Sequence, residues 1–223
     1  NVAVVGDDAV VNTRGLTVSA VNVTGQKSDS VAKATSGAGA GDVGVAGALA
    51  ANVAVNTTVA ALEGDTDSDG MGASVNAGVA ANTGDILIEA GNMTTATVES
   101  GAKVTGTGGT AKVGVGASIG VNVGVNTTVA EVADKAALTG GKDLGLNATA
   151  GARVAVTPLV AATVAVNTTT ARLGESSTDL GIAGKYSSTA DHKGSATTTA
   201  TGQTEGSSVA VGASIGLTVA TDT

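Results

Sequence analysis

Cysteine, phenylalanine and tryptophan are absent from the sequence, and tyrosine, proline and histidine occur once each, as Tyr186, Pro158 and His192. Without cysteine there are no disulfides and no thiolate metal sites. Without aromatic bulk a core has to be built from Val, Ala, Leu and Ile, because aromatics normally supply much of the buried area. One proline among 34 glycines excludes collagen and proline-rich linkers. Cations are scarce: 11 Lys and Arg against 19 Asp and Glu leave a net charge of −8 and a pI near 4.4. Phosphate backbones are bound by clustered Lys and Arg, so nucleic acid is excluded as a partner. No uninterrupted apolar run is long enough for a membrane helix, so the chain is not expected to span a membrane.

What is present argues for order. Hydrophobic residues make up 42% of the chain and charged residues 13%, a balance unlike that of disordered segments. The run VGVGASIGVNVGVNTTVAEV at 113–132 recurs at 43–62 as VGVAGALAANVAVNTTVAAL, at 154–173 as VAVTPLVAATVAVNTTTARL, and at 209–223 as VAVGASIGLTVATDT. The opening Asn1-Val2-Ala3-Val4 matches Asn52-Val53-Ala54-Val55. Aligned on Asn1, Asn52, Asn122, Thr163 and Thr218, the copies are unevenly spaced, as rigid strands joined by variable surface loops would be. No initiator Met or signal peptide is present and both ends fall inside a repeat, so the chain reads as a fragment of a longer repeat protein.

Each copy alternates with a period of two. In the run at 113–132, Val113, Val115, Ala117, Ile119, Val121, Val123 and Val125 share one face, and Gly114, Gly116, Ser118, Gly120, Asn122, Gly124 and Asn126 share the other. That period with β-branched residues predicts strand, since helical spacing would scatter the valines round a cylinder. The uniformly small second face implies close approach of another layer or bends at glycines. Pro158 cannot donate to a ladder, which predicts a corner or an edge there and several short strands in place of one long one.

Shorter β-like runs lie between the copies, at 15–20, 84–90 and 143–148, with a further one at 179–183. The first three share an aliphatic-x-aliphatic-x-Ala pattern or a near relative. Thr-rich tracts at 93–98 and 197–201 follow, and Gly- and Asp-rich pieces at 63–72, 106–109 and 138–143 read as turns. No amphipathic helix is evident. The expected fold is all-β: a parallel β-helix (β-solenoid), one continuous segment over 1–223. Its coils stack about 4.7–4.9 Å apart and pair every backbone group. Identical residues in successive coils would then form ladders, with Asn56, Asn126 and Asn167 the candidates. A membrane β-barrel would need aromatic girdles that one tyrosine cannot supply, and a β-sandwich would show larger core residues.

The runs VGVGASIGVNVGVNTT and GDILIEA resemble the passenger repeats of bacterial large exoproteins: filamentous-haemagglutinin-like adhesins and leukotoxin-like giant proteins of type V secretion. The resemblance covers most of the chain. It implies a right-handed β-helix in a long fibre, extracellular or at the surface of a Gram-negative bacterium.

The sharpest chemical motif is Asp65-Thr66-Asp67-Ser68-Asp69-Gly70. Carboxylates at positions one, three and five, Gly at six and the Met71 carbonyl at seven match the opening of a calcium loop. Asn76 stands at position twelve where a bidentate Glu belongs, so the expected calcium affinity is weak, and the alternative is an acidic solvated turn. His192 sits in a polar Ala-Asp-His-Lys-Gly turn and reads as an exposed loop residue. Ser118 and Ser214 in GASIG resemble a nucleophile elbow only superficially, because the context is repeated strand. Asn-x-Thr occurs at Asn22, Asn56, Asn92, Asn126, Asn147 and Asn167; three belong to the repeat and read as structural. With no catalytic set, the expected function is non-catalytic, a structural and adhesive segment of a fibrous protein. Its partners would be neighbouring repeats, stacked copies, or glycans of a host or cell surface. The alternative is a module that binds calcium, glycan or ice through loop 63–72 or its Thr-rich faces. A polysaccharide lyase is the third class, and it would need clustered acids or bases in a groove.

Overall fold

The structure, a computed structural model, describes residues 1–22, 26–40, 42–78, 84–106, 113–175, 181–201, 209–211 and 213–223. Fourteen strands and no helix occur among them. The first coil holds β1 (Val2–Val5), β2 (Val10–Asn12), β3 (Leu16–Val21) and β4 (Ser28–Ala40). The second holds β5 (Val43–Leu62), β6 (Ser74–Asn76) and β7 (Ile86–Gly106), and the third β8 (Val113–Val132), β9 (Ala137–Thr139) and β10 (Leu144–Thr157). The fourth has β11 (Val160–Leu173) and β12 (Tyr186–Thr198), and the last β13 (Val209–Val211) and β14 (Ile215–Asp222).

All pairings are parallel, and they make three sheets. Sheet 1 runs β1-β5-β8-β11-β14, with β13 also on β8. Sheet 2 runs β12-β10-β7-β3, with β4 also on β7. Sheet 3 is the short stack β2-β6-β9, which Gly181 extends by a bridge to Thr139. Each of the first four coils visits sheet 1, then sheet 3, then sheet 2, and the last adds only to sheet 1, so the fold is the expected parallel β-helix. Its sequence step is uneven because corners absorb length while strands keep register. Asn56 pairs with Asn126 at a separation of 70 residues, Asn126 with Asn167 at 41, and Asn167 with Asp222 at 55.

The bounds of β5 and β8 coincide with the repeats read at 43–62 and 113–132, each as one unbroken strand of 20 residues where several short strands were expected. The repeat read at 154–173 does not stay in one sheet. Residues up to Thr157 belong to β10 in sheet 2, and the chain turns at Pro158-Leu159 before β11 enters sheet 1. Proline marks the corner because it has no N–H to offer either ladder. The vacated position beside β8 is taken by β13, with Val209 on Val113 and Val211 on Val115. The first repeat also differs. Val2 pairs with Val59 and Val5 with Leu62, so Asn1 falls in line with Thr58, six places beyond the Asn52 expected from the sequence. The motif NVAV fits either place; the coil corner after it decides, since Glu63 N donates to Val5 O at 2.9 Å. Gly106 closes β7, while the rest of the turn read at 106–109 and the start of the run at 179–183 lie outside the described residues.

The three short runs become one core column. Leu16, Ile86, Leu144 and Tyr186 are in register, as are Val18, Ile88 and Leu146, and Ala20, Ala90, Ala148 and Ala190. With Leu62, Val132, Val75 and Leu138 the members on β3, β7 and β10 fill the triangular end where the three sheets meet, while Tyr186 and Ala190 on β12 stay exposed. Away from sheet 3 the two long sheets converge, and the core narrows to Ala50, Val98, Val156 and Ala161, then Ala96, Val154 and Ala165.

That convergence inverts the expected core of sheet 1. Gly, Ser and Asn point inward and the valines outward: Gly114, Gly116, Ser118, Gly120, Asn122, Gly124 and Asn126 are buried. A Cβ on Gly124 would stand 2.7 Å from Val154 Cγ2, and one on Gly120 would stand 2.7 Å from Pro158 Cγ. Only small residues fit against the valines of sheet 2. Outside, Val45 is 68% exposed, Leu49 67% and Val53 68%. The outer face of sheet 2 is polar by contrast, carrying Glu99, Lys103, Thr149, Arg153, Asp191 and Lys193 in exposed positions.

Candidate functional site

Between the two long sheets a column of side-chain amides crosses the coils. Asn56 Nδ2 donates to Asn126 Oδ1 at 3.1 Å, Asn126 Nδ2 to Asn167 Oδ1 at 2.8 Å, and Asn167 Nδ2 to Asp222 Oδ1 at 2.6 Å. Thr94 Oγ1 of sheet 2 donates to Asn126 Oδ1 at 2.8 Å, which ties the ladder across the core. A second column uses Asn52, whose Nδ2 donates to Asn122 Oδ1 at 3.2 Å, while Asn122 Nδ2 donates to the carbonyls of Ala96 and Ala155. Buried amides need such partners, since an unmet one costs about 1–3 kcal/mol. Asn56, Asn126 and Asn167 are thus committed to the ladder, and Asn92 is 3% exposed.

The acidic motif sits at the corner between sheets 1 and 3, and neighbouring coils complete it. Oxygens of Asp7, Asp65 and Asp67 lie within 4.8 Å of one another, as do those of Asp8, Asp67 and Asp69. Asp65, Asp67 and Asp69 therefore split between two clusters that share Asp67. Asp65 is already engaged at both oxygens: Ser68 N reaches Oδ1 at 2.6 Å, and Gly70 N and Lys135 Nζ reach Oδ2 at 2.8 and 2.6 Å. These bonds, Lys135 first, hold the Asp65 carboxyl below the usual range. Lys135 places an internal cation where a calcium ion would meet Asp65. The contact of Met71 is through its N–H, which donates to Asp69 Oδ1 at 2.8 Å. Asp7 accepts from Thr66 N and Thr66 Oγ1 and is likewise held low. Asp8 is pushed up, chiefly by Asp69 and then by burial, Asp7, Asp67 and Asp65. A hard cation fits the Asp8, Asp67 and Asp69 set by oxygen chemistry. Beside it lies a cleft of about 210 Å³ lined by Met71, Ser74 and Lys135 among others.

Asp7, Asp8 and Lys135 are missing from the sequence reading. The signal exists in the corners: Lys135 lies 70 residues after Asp65, the β5 to β8 step. The six-place slip of the first repeat hid Asp7 and Asp8, which register with the 64–65 corner once Val5 is set on Leu62.

On the outer face of sheet 2 a trough of about 400 Å³ opens over Gly151. Met93 flanks it on β7, Arg153 continues β10, and Asp191 and Lys193 border it on β12, with Lys27 at the rim. Gly151 leaves the dent because side chains in the adjacent strands stand on either side of it.

The remaining candidates are structural. Ser118 is fully buried, and its Oγ accepts from Leu159 N at 2.8 Å, bracing the Pro158 corner. Ser214 is exposed in unpaired backbone. His192 lies in β12, not in a loop; it faces inward, with Nδ1 3.3 Å from Thr169 Oγ1 and Nε2 3.2 Å from Asp222 Oδ1, at the end of the amide ladder. Comparison with known protein families, curated proteins and solved structures finds no match to this chain.

Proposed function

We propose that the chain is a structural and adhesive shaft segment of a secreted or cell-surface fibrous repeat protein, with no catalysis of its own. The observation that carries this reading is the amide ladder from Asn56 through Asn126 and Asn167 to Asp222, which couples successive coils into one rod. Ladder bonds act with the parallel backbone pairing, so axial load is shared by many short bonds. The resemblance of the 113–128 and 84–90 runs to exoprotein passenger repeats supports the same reading. The test is mechanical: pulled from its two ends, the chain should extend in steps of one or two coils, each preceded by a force peak. Smooth extension without peaks would remove the shaft reading.

The trough over Gly151 favours a second reading, a ligand-binding module. Arg153, Lys193 and Lys27 beside Asp191 suit the hydroxyls and acid groups of a glycan. A glycan array that loses signal with Arg153→Ala supports it, and a blank array removes it. Calcium belongs to this reading through Asp8, Asp67 and Asp69. Titration calorimetry should give heat that Asp67→Ala abolishes; no heat removes the calcium claim.

A further inference from the structure

The outer face of sheet 1 is an apolar plate. From row 43 to row 55 its outward residues on β5 are Val, Val, Gly, Leu, Ala, Val and Val, and those on β8 are Val, Val, Ala, Ile, Val, Val and Val. The β14 strand adds Ile215, Leu217 and Val219, which are 65%, 59% and 46% exposed. Among the described residues no charged side chain points outward within these rows; Asp42 precedes Val43, Asp222 turns inward to Asn167 in the next row, and the outward pair Glu131 and Arg172 lies six rows beyond Val55, 3.1 Å apart. At about 3.3 Å per residue and about 4.8 Å per strand, the thirteen rows on β5 and β8, the seven that β11 and β14 share from row 49, and the three of β13 cover on the order of 700 Å². The largest apolar patch on an ordinary monomer is about 300–600 Å². A standard protein interface takes about 800 Å² from each partner.

We propose that this plate docks against the same plate of a second copy of the chain, face to face, about a two-fold axis parallel to the coil stack. Its relief is self-complementary. Leu49, Ile119, Val160 and Ile215 are in register and form a ridge. The adjacent outward row holds Gly47 and Ala117, a trough. A two-fold between these rows lays Leu49 and Ile119 of each copy over Gly47 and Ala117 of the other, with the sheets about 10 Å apart as in sandwiches. A lipid surface is the weaker match. Membrane-surface faces carry aromatic and Lys or Arg anchors, and here the plate has neither while the chain carries a net charge of −8. A charged protein partner would find no complement in these rows.

The test is sedimentation of the 223-residue chain at about 50 µM, a range in which micromolar pairing is populated. The expected result is a two-copy species. Leu49→Asp/Val53→Asp should sediment as one copy with an unchanged far-UV spectrum, because both positions are exposed. Leu49→Thr/Val53→Thr keeps strand-forming side chains should the charged pair disturb folding, and should weaken pairing at least tenfold. Thr97→Asp on the polar outer face of sheet 2 should leave pairing intact. A wild-type chain that stays single, a Thr variant that pairs as tightly as wild type, open-ended oligomers, or single copies that float with phosphatidylcholine vesicles would each overturn the proposal.

Discussion

The side-chain amide of Asn126 donates to Oδ1 of Asn167 at 2.8 Å, one coil away, with both residues buried. The same Asn126 carbonyl oxygen receives Asn56 Nδ2 and Thr94 Oγ1. Removing it with Asn126→Ala therefore orphans three groups, not one. The expected loss is about 2–4 kcal/mol in urea or guanidinium unfolding. Asn52→Ala, at the edge of the parallel column and half-buried, should cost less. Equal losses would mean that the ladder carries no special weight.

Thr128 is fully buried, and its Oγ1 has no hydrogen-bond partner among the described residues. Thr128→Val keeps the shape and removes the unmet hydroxyl. Stability should rise by about 1 kcal/mol. A fall in melting temperature would show that the hydroxyl is satisfied.

Gly124 and Val154 test the inverted core. Gly124→Ala puts a methyl 2.7 Å from Val154 Cγ2. Overpacking of this kind costs about 1–3 kcal/mol. Adding Val154→Ala should recover part of that loss, a coupling that a double-mutant cycle reads directly. Gly101→Ala, where nothing lies within 4 Å, should be neutral or slightly stabilising.

The acid corner gives a pH signature. The Asp8 carboxyl is raised because ionised Asp69 and its neighbours disfavour a further negative charge. A raised carboxyl means that the folded state holds its proton more tightly than the unfolded chain. Its stabilising effect is present in acid and lost as pH rises through the folded value. Asp8→Asn should therefore raise the melting temperature near neutral pH and change little below about pH 3. Asn tolerates the left-handed backbone found there, φ 60°. Asp65 runs the other way. Its lowered carboxyl stabilises above the usual carboxylate range and loses that contribution as pH falls through the folded value. Lys135→Met should move this acid loss to higher pH.

Strand positions and alternation were legible because a period of two survives any choice of face, so β5 and β8 emerge with their full bounds. Pro158 was legible as a corner because its chemistry permits little else. The direction of the faces was not. Side-chain hydropathy says that valine goes inside, and the opposite holds in sheet 1 because the distance to sheet 2 admits only Gly, Ser, Ala and Asn. The small face was the clue, since a solvated face has no reason to exclude Lys and Glu. The acid cluster was half legible. The Asp65 motif is local in sequence, but Asp7, Asp8 and Lys135 reach it only through register.

The short strand β13 has a mechanical meaning. Repeat stacks ordinarily unzip one unit at a time, each held only by its neighbour. Here Val209–Val211 lies directly on β8, past the fourth coil, while β14 lies on β11. The last coil thus straps the fourth onto the third like a clasp. Fraying from this end can peel β14 from β11 first, but freeing the last coil also requires β13 to leave β8, which adds a latch to the zipper.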